Sequence, residues 1–309
     1  MRPFIFLLIF VCLLFVSCGS VKTLQQLGSY EITLADSSPS DTTTTDVTAN
    51  RDSLGRQATL LSAFYSLDDD LPRTANRGVC EGAGGADGMP VIFSHEIDVK
   101  TMQAGDFRIT TASGKIGKIT CVSLAPADDK GELRTALFAG HYGSIDNQPV
   151  KVEVIGNLLS IDKSLNFKGA SIDVIPLEDG PTMIWAEVVP EDEWNLGKEA
   201  SPLAWGGGSG APEGTQQVVR VTWVGGVTKP GGDEVDDVER VQYKVTVLQE
   251  DGSRIEVTPF ALADLGDGDN NHELCLDVTG IPLSVYFPAG FMTDPNEDLN
   301  QETTITISE

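Results

Sequence analysis

One ordered set of strand and turn signals occurs twice in this chain, and that repetition constrains its fold more than any other feature. In the first copy Phe107-Arg-Ile-Thr leads to Gly114, and ten residues later Leu124-Ala125 opens an acidic loop. In the second copy Tyr243-Lys-Val-Thr leads to Gly252, and ten residues later Leu262-Ala263 opens a longer acidic loop. Each copy continues with Glu-Leu (Glu132-Leu133, Glu273-Leu274), a strand-like run, a proline (Pro149, Pro282), an alternating strand and a glycine (Gly156, Gly290). Upstream, Val91-Ile-Phe93 corresponds to Val221-Thr-Trp223. A fixed order of such signals met twice predicts two similar β domains in tandem. Apolar residues alternate at Val241, Tyr243, Val245 and Val247 and again at Ile305 and Ile307, so one face of each strand is buried. No sustained helical period competes, and the expected fold class is all-β.

The N-terminus carries an address. Met1-Arg2-Pro3 is a short positive region, Phe4 to Val16 is apolar and uncharged, and Ser17-Cys18-Gly19 follows. The apolar run is shorter than a membrane span and reads as a signal peptide, residues 1–17. Leu14-Phe15-Val16-Ser17-Cys18 resembles a bacterial lipobox, with Phe15 standing where leucine is usual. The resemblance implies cleavage before Cys18, lipid attachment at Cys18, and an extracytoplasmic protein anchored in the membrane by its acyl chains. Gly19 after the cysteine, in place of an aspartate, resembles the outer-membrane sorting signal of such lipoproteins. Residues 18–57 turn to Ser, Thr, Asp and Asn and are expected to form a flexible tether.

Cys80, Cys121 and Cys275 remain after processing. Export implies an oxidising compartment, and Cys80 with Cys121 is the preferred disulfide because both lie in the first copy. Cys275, inside Glu-Leu-Cys-Leu-Asp-Val, is expected as a buried strand cysteine. The chain carries 46 acidic against 21 basic residues, a net charge of -25, which repels nucleic acid and anionic headgroups and favours hard cations.

A first sandwich is expected over 58–190, a Gly/Pro-rich linker over 191–215 with Trp194 and Trp205 at its edges, and a second sandwich over 216–309. Met183 to Val189 is counted as the last strand of the first sandwich. Met89-Pro-Val-Ile-Phe-Ser-His-Glu-Ile-Asp98, followed by Asp106-Phe-Arg-Ile-Thr110 and Ser113-Gly114, resembles the bacterial immunoglobulin-like domains of S-layer and surface proteins. That resemblance spans Leu60 to Val122 and implies two immunoglobulin-like β-sandwiches.

Chemistry is expected in the second copy. Asp264, Asp267, Asp269 and Asn271 crowd one loop, and Asp294, Asn296 and Asp298 alternate in another. If Ile255–Ala261, Glu273–Val278 and Leu283–Phe287 form an antiparallel meander, both loops lie at one pole, where oxygen donors could hold Ca²⁺. Asp and Asn are also common turn formers, so a plain solvated loop is the competing reading. His272 is read as a surface residue. Ser94-His95-Glu96 has the composition of a catalytic triad, but neighbours on a strand point to opposite faces and cannot relay a proton. No nucleophile elbow, zinc-binding helix, phosphate loop or dinucleotide fingerprint is present. The expected role is therefore binding or structural, adhesion-like, toward an unknown protein or polysaccharide at the cell surface. Two alternatives stay open: an envelope hydrolase or carbohydrate-active protein using carboxylates of the Asp-rich loops, and an accessory subunit of an envelope complex.

Overall fold

A computed structural model describes residues 51–52, 54–194, 209–266 and 268–308, all within one compact unit. The signal segment, Cys18, most of the tether, Trp205 and Asp267 lie outside the described residues.

Among the described residues, fifteen strands form four antiparallel sheets in two facing pairs. The first sandwich contains β1 (Leu60–Ala63), β2 (Asp87–Phe93), β3 (Phe107–Thr111), β4 (Lys118–Ser123), β5 (Thr135–His141), β6 (Pro149–Val154) and β7 (Ser171–Asp173). Its sheets run β1-β2-β5-β4 and β3-β6-β7. The second contains β8 (Met183–Val189), β9 (Gln217–Trp223), β10 (Lys244–Leu248), β11 (Arg254–Val257), β12 (Ala261–Ala263), β13 (Asn271–Leu276), β14 (Ile281–Phe287) and β15 (Thr303–Thr306). Its sheets run β12-β13-β9-β8 and β11-β10-β14-β15. Four strands in the order first, second, fifth, fourth, facing the third, sixth and seventh, is the immunoglobulin arrangement. The second sandwich repeats it with one added edge strand, β11.

The repeat seen in sequence maps onto equivalent places. Phe93 and Trp223 end β2 and β9, and Phe107 and Tyr243 stand at the starts of β3 and β10. The two cores are built on these rings. Phe107 meets Phe138 at 4.4 Å and Phe93 meets Phe167 at 5.1 Å between ring centres. In the second, Tyr243 meets Phe287 at 4.5 Å and Trp223 meets Phe287 at 5.4 Å. In each sandwich the opening segment also meets that sandwich's own last segment in a parallel bridge, Phe64, just past β1, with Ile175, and Glu187 of β8 with Ser308.

Three expectations are corrected. Met183–Val189 does not close the first sandwich; as β8 it pairs with β9, Met183 opposite Trp223 and Val189 opposite Val218. Residues 174–182 therefore make the crossing, and 191–215, expected between the sandwiches, joins β8 to β9 inside the second. Alternation marks a strand but does not say which sheet it enters. Nor do the strands form a meander. β11 pairs with β10, and β13 lies in the other sheet between β12 and β9, because the chain changes sheet between β11 and β12.

Cys80 and Cys121 are joined by a disulfide with Cα atoms 6.7 Å apart. It ties the segment before β2 to β4 beside a small apolar cluster of Leu67, Leu71, Ala75 and Ala139. Cys275 is fully buried on β13, and burial pushes its thiol up to about 11. Among the described residues no helix is long and apolar enough to cross a membrane.

Candidate functional site

β9 is buried along its whole length. Val219, Val221 and Trp223 face the second core, so Arg220 points out of the opposite face of the sheet. An arginine in such a run needs carboxylates beside it, and the register supplies them: Glu187 of β8 and Glu273 of β13 are its direct cross-strand neighbours. Arg220 Nη2 lies 2.9 Å from Glu273 Oε1 and its Nη1 3.5 Å from Glu187 Oε1.

The first sandwich closes over this row with the loop between β4 and β5. Glu132 Oε1 lies 3.1 Å from Arg220 Nε, and Arg220 Nη1 donates to the Gly131 carbonyl at 2.9 Å. Gly131 has φ +91°, and a Cβ there would lie 2.7 Å from Arg220 Nη1, so only glycine lets the loop approach this closely. Arg134, also from the first sandwich, pairs with Glu187 at 3.1 Å and stacks over the Trp185 ring at 4.4 Å. Elsewhere at the junction Asn270 donates to Thr135, Asn296 donates to the Ser66 carbonyl, and Phe64 packs against Gly225.

Beside Arg220, one carboxylate oxygen each from Glu132, Asp264 and Glu273 lie within 4.8 Å of one another, and all three residues are buried. Burial, then the charges of Asp269 and Asp264, raise Glu132 well above the usual carboxylate range. Burial raises Glu273 to about 7. Burial alone would lower Arg220, but Glu132, Glu273 and Glu187 hold it above its ordinary value. These groups line a cavity of about 10 Å³ together with Asp129 and Trp194. A second acidic group, Asp69, Asp87 and His141, is of a different kind. There Asp87 is occupied by the backbone N–H groups of Asp69, Tyr142 and Gly143.

The residues expected to bind Ca²⁺ are distributed over several contacts. Asp264 joins the trio above. Asp269 accepts from the backbone and side chain of Asn271, whose own carbonyl accepts from Thr222. Asp294 caps its own loop by accepting from the N–H groups of Asn296 and Asp298. Burial raises Asp294 to about 6. The two loops do come together, at the junction with the first sandwich. Gly268, Asp269, Asn270 and Pro295 line one side of a pocket of about 290 Å³, and apolar residues of the first sandwich, among them Leu71, Val79 and Leu137, line the other. Asp269 is the only carboxylate among the described residues that line it.

His272 is not at the surface. It is buried on β13, where Tyr243 Oη lies 2.7 Å from its Nδ1 and Trp223 Nε1 donates to that hydroxyl at 3.0 Å. The indole N–H can only donate, so Trp223, Tyr243 and His272 form a buried relay through the tyrosine oxygen, in which burial disfavours a charged imidazole. Burial lowers it to about 4. Ser94 and His95 do touch, at 2.9 Å, because they lie in a bend after β2 and strand alternation does not apply to them. Ser94 Oγ donates to the Gln57 carbonyl and accepts from the Thr59 N–H, which leaves it a structural tie. Glu96 accepts from the Leu133 N–H instead of orienting the histidine.

Sequence reasoning missed Arg220, Glu132 and Glu273 as a group. Arg220 inside Val-Val-Arg-Val-Thr-Trp was a usable signal, and so was the Glu-Leu pair occurring once in each copy.

No family model matches the chain, and no curated protein matches it. Among solved structures it is similar to the N-terminal part of the bacterial S-layer protein SbsC, at 12% identity and a TM-score of 0.26 over 82% of this chain and 44% of that one. It is similar to the S-layer protein rSbsC(31-844) at 13% identity and a TM-score of 0.27, over 81% and 40%. Domains 1–6 of SbsC match at 10% identity and a TM-score of 0.26, over 81% and 54%. The chain thus spans about half of those proteins or less, and the immunoglobulin arrangement rests on the strand order given above.

Proposed function

We propose that the chain is a cell-envelope protein, anchored in the membrane through a lipid on Cys18, whose two sandwiches act as one rigid arm with a structural and binding role. The observation that carries this reading is the junction. Arg220 and Arg134 each bridge carboxylates or carbonyls across it, and Arg220 is 4% exposed. A buried ion pair is badly destabilised when one partner leaves, so the junction favours a single relative orientation over a hinge. The hydrolase alternative lacks support from the same geometry. Glu132 and Glu273, raised by burial, face a cavity of about 10 Å³, too small for a substrate. The pocket of about 290 Å³ presents one carboxylate, and in the wider one of about 610 Å³ Asp236 and Asp237 are paired with Lys229 and Arg240.

A second reading within this role is favoured by the pocket of about 290 Å³. Its apolar walls suit a hydrophobic side chain of a protein partner better than a polysaccharide. Spin labels on Ser113→Cys and Ser253→Cys, exposed turns of the two sandwiches, test the rigid arm in the full chain. A single narrow distance distribution is expected. A broad or bimodal distribution would refute the arm.

A further inference from the structure

The small cavity beside Arg220 is built like a site for an ion. Its three carboxylates come from both sandwiches, Glu132 from the first and Asp264 and Glu273 from the second, and their oxygens converge within 4.8 Å. Arg220 approaches from one side and takes Glu132 Oε1 and Glu273 Oε1. Glu132 Oε2, Asp264 Oδ2 and Asp129 Oδ2 are buried and receive no hydrogen bond of good geometry, and Glu132 is 1% exposed. The carboxyl groups of Glu132 and Asp264 meet each other, a contact that either a shared proton or a cation between them must bridge. Arg134 is engaged with Glu187, so it cannot supply that charge. Lys130 is paired with Glu193, which leaves the carboxyl groups of Asp129, Glu132, Asp264 and Glu273 facing the single guanidinium of Arg220, an excess of negative charge that a divalent ion would offset. The cavity, about 10 Å³, has room for about one small ion or one water.

We infer that this cavity binds one divalent cation, Ca²⁺, held by Glu132, Asp264 and Glu273 with Asp129 at its edge. Donors that are all oxygen select a hard cation. Mg²⁺ keeps several of its waters and would not fit, whereas Ca²⁺ accepts irregular carboxylate cages. The ion joins the sandwiches, because Glu132 reaches it from one and Asp264 and Glu273 from the other. This inference stands apart from the rigid-arm reading: a stiff junction could exist without the ion, and the ion could bind at a junction that still bends.

The test uses the full chain in detergent, stripped with EDTA and then titrated with Ca²⁺ and with Tb³⁺. Trp194 lines the cavity, so indole excitation should sensitise Tb³⁺ emission there. Expected are one Ca²⁺ retained per chain, Tb³⁺ emission that Ca²⁺ displaces, and a rise in unfolding temperature with Ca²⁺. Glu132→Gln and Asp264→Asn, made separately, should each weaken Ca²⁺ binding by at least about tenfold, since affinity follows ligand charge. Asp264→Asn relieves repulsion without removing a partner of Arg220, so in EDTA it should not unfold below the wild type, whereas Glu132→Gln also breaks the pair with Arg220 and is read by Ca²⁺ affinity alone. Trp194→Phe should keep the Ca²⁺ stoichiometry and lose most of the emission. No retained Ca²⁺ in the wild type, unchanged affinity in both carboxylate variants, or emission undiminished in Trp194→Phe would each overturn the site. A proton shared between Glu132 and Asp264 in place of a metal would give the first of these results.

Discussion

Removing one hydroxyl group tests how the second core is wired. In Tyr243→Phe the ring stays against Phe287, but Trp223 Nε1 loses its acceptor and His272 Nδ1 its hydrogen-bond partner. All three residues are buried, with Trp223 and Tyr243 at 0% and His272 at 3% exposure, so water cannot replace the lost bonds without opening the core. Each orphaned buried polar group costs about 1–3 kcal/mol, and the hydroxyl's own desolvation is recovered, so a net loss of about 3 kcal/mol is expected. Spread over a unit of this size, that lowers the unfolding temperature by about 6–12 °C. Tyr286→Phe is the control, because that hydroxyl meets Glu302 at an exposed site and its loss should fall within about 0.5 kcal/mol of zero. Thermal and urea unfolding of both variants at pH 7.5 provide the comparison. If Tyr243→Phe proves no more costly than Tyr286→Phe, the relay does not carry the energy argued here.

The same wiring sets a pH response. An unfolded His272 takes a proton near 6.5 and the folded one only near 4, so the unfolded state binds more protons in between. Stability attributable to this residue should therefore fall by about 3 kcal/mol as pH drops from 6.5 to below 4. Asp294 has the opposite sign: its folded value of about 6 lies above 3.8, so its ionised form is a burden at neutral pH. Asp294→Asn keeps an acceptor for the loop and should raise the unfolding temperature at pH 8, with the gain fading as pH falls below about 6. Arg220→Met leaves the junction carboxylates without their cation and should cost about 3–5 kcal/mol, less at pH 5 than at pH 8. Replacing Cys80 and Cys121 by alanine opens a loop of sequence separation 41 and should cost about 4 kcal/mol on chain entropy, read by urea unfolding against the oxidised wild type.

Much of the fold was legible because strand chemistry is local. Val91-Ile-Phe93 and Val221-Thr-Trp223 read as equivalent strands from their side chains alone, and the structure gives both the second place in their sandwiches. Sheet membership was not legible, since Met183–Val189 alternates equally well for either neighbour. The candidate site was hidden for a related reason. Glu132 stands over 130 residues from Asp264 and Glu273 in sequence, and only the crossing at 174–182 brings the loop carrying it over β9. The Asp-rich loops drew attention because Asp and Asn are conspicuous. In Asp294-Pro-Asn-Glu-Asp298 those residues serve the backbone of their own turn, a use that composition cannot distinguish from metal binding.

The parallel bridges Phe64–Ile175 and Glu187–Ser308 have a mechanical meaning. Tension applied between the two ends of either sandwich pulls its first and last strands past each other. Hydrogen bonds lying across that direction are loaded together, whereas the strands of a hairpin pulled at its open end unzip one bond at a time. A body fixed at its N-terminal side and loaded near its C-terminus would therefore resist stretching at both sandwiches in series, each guarded at the point where the force enters and leaves.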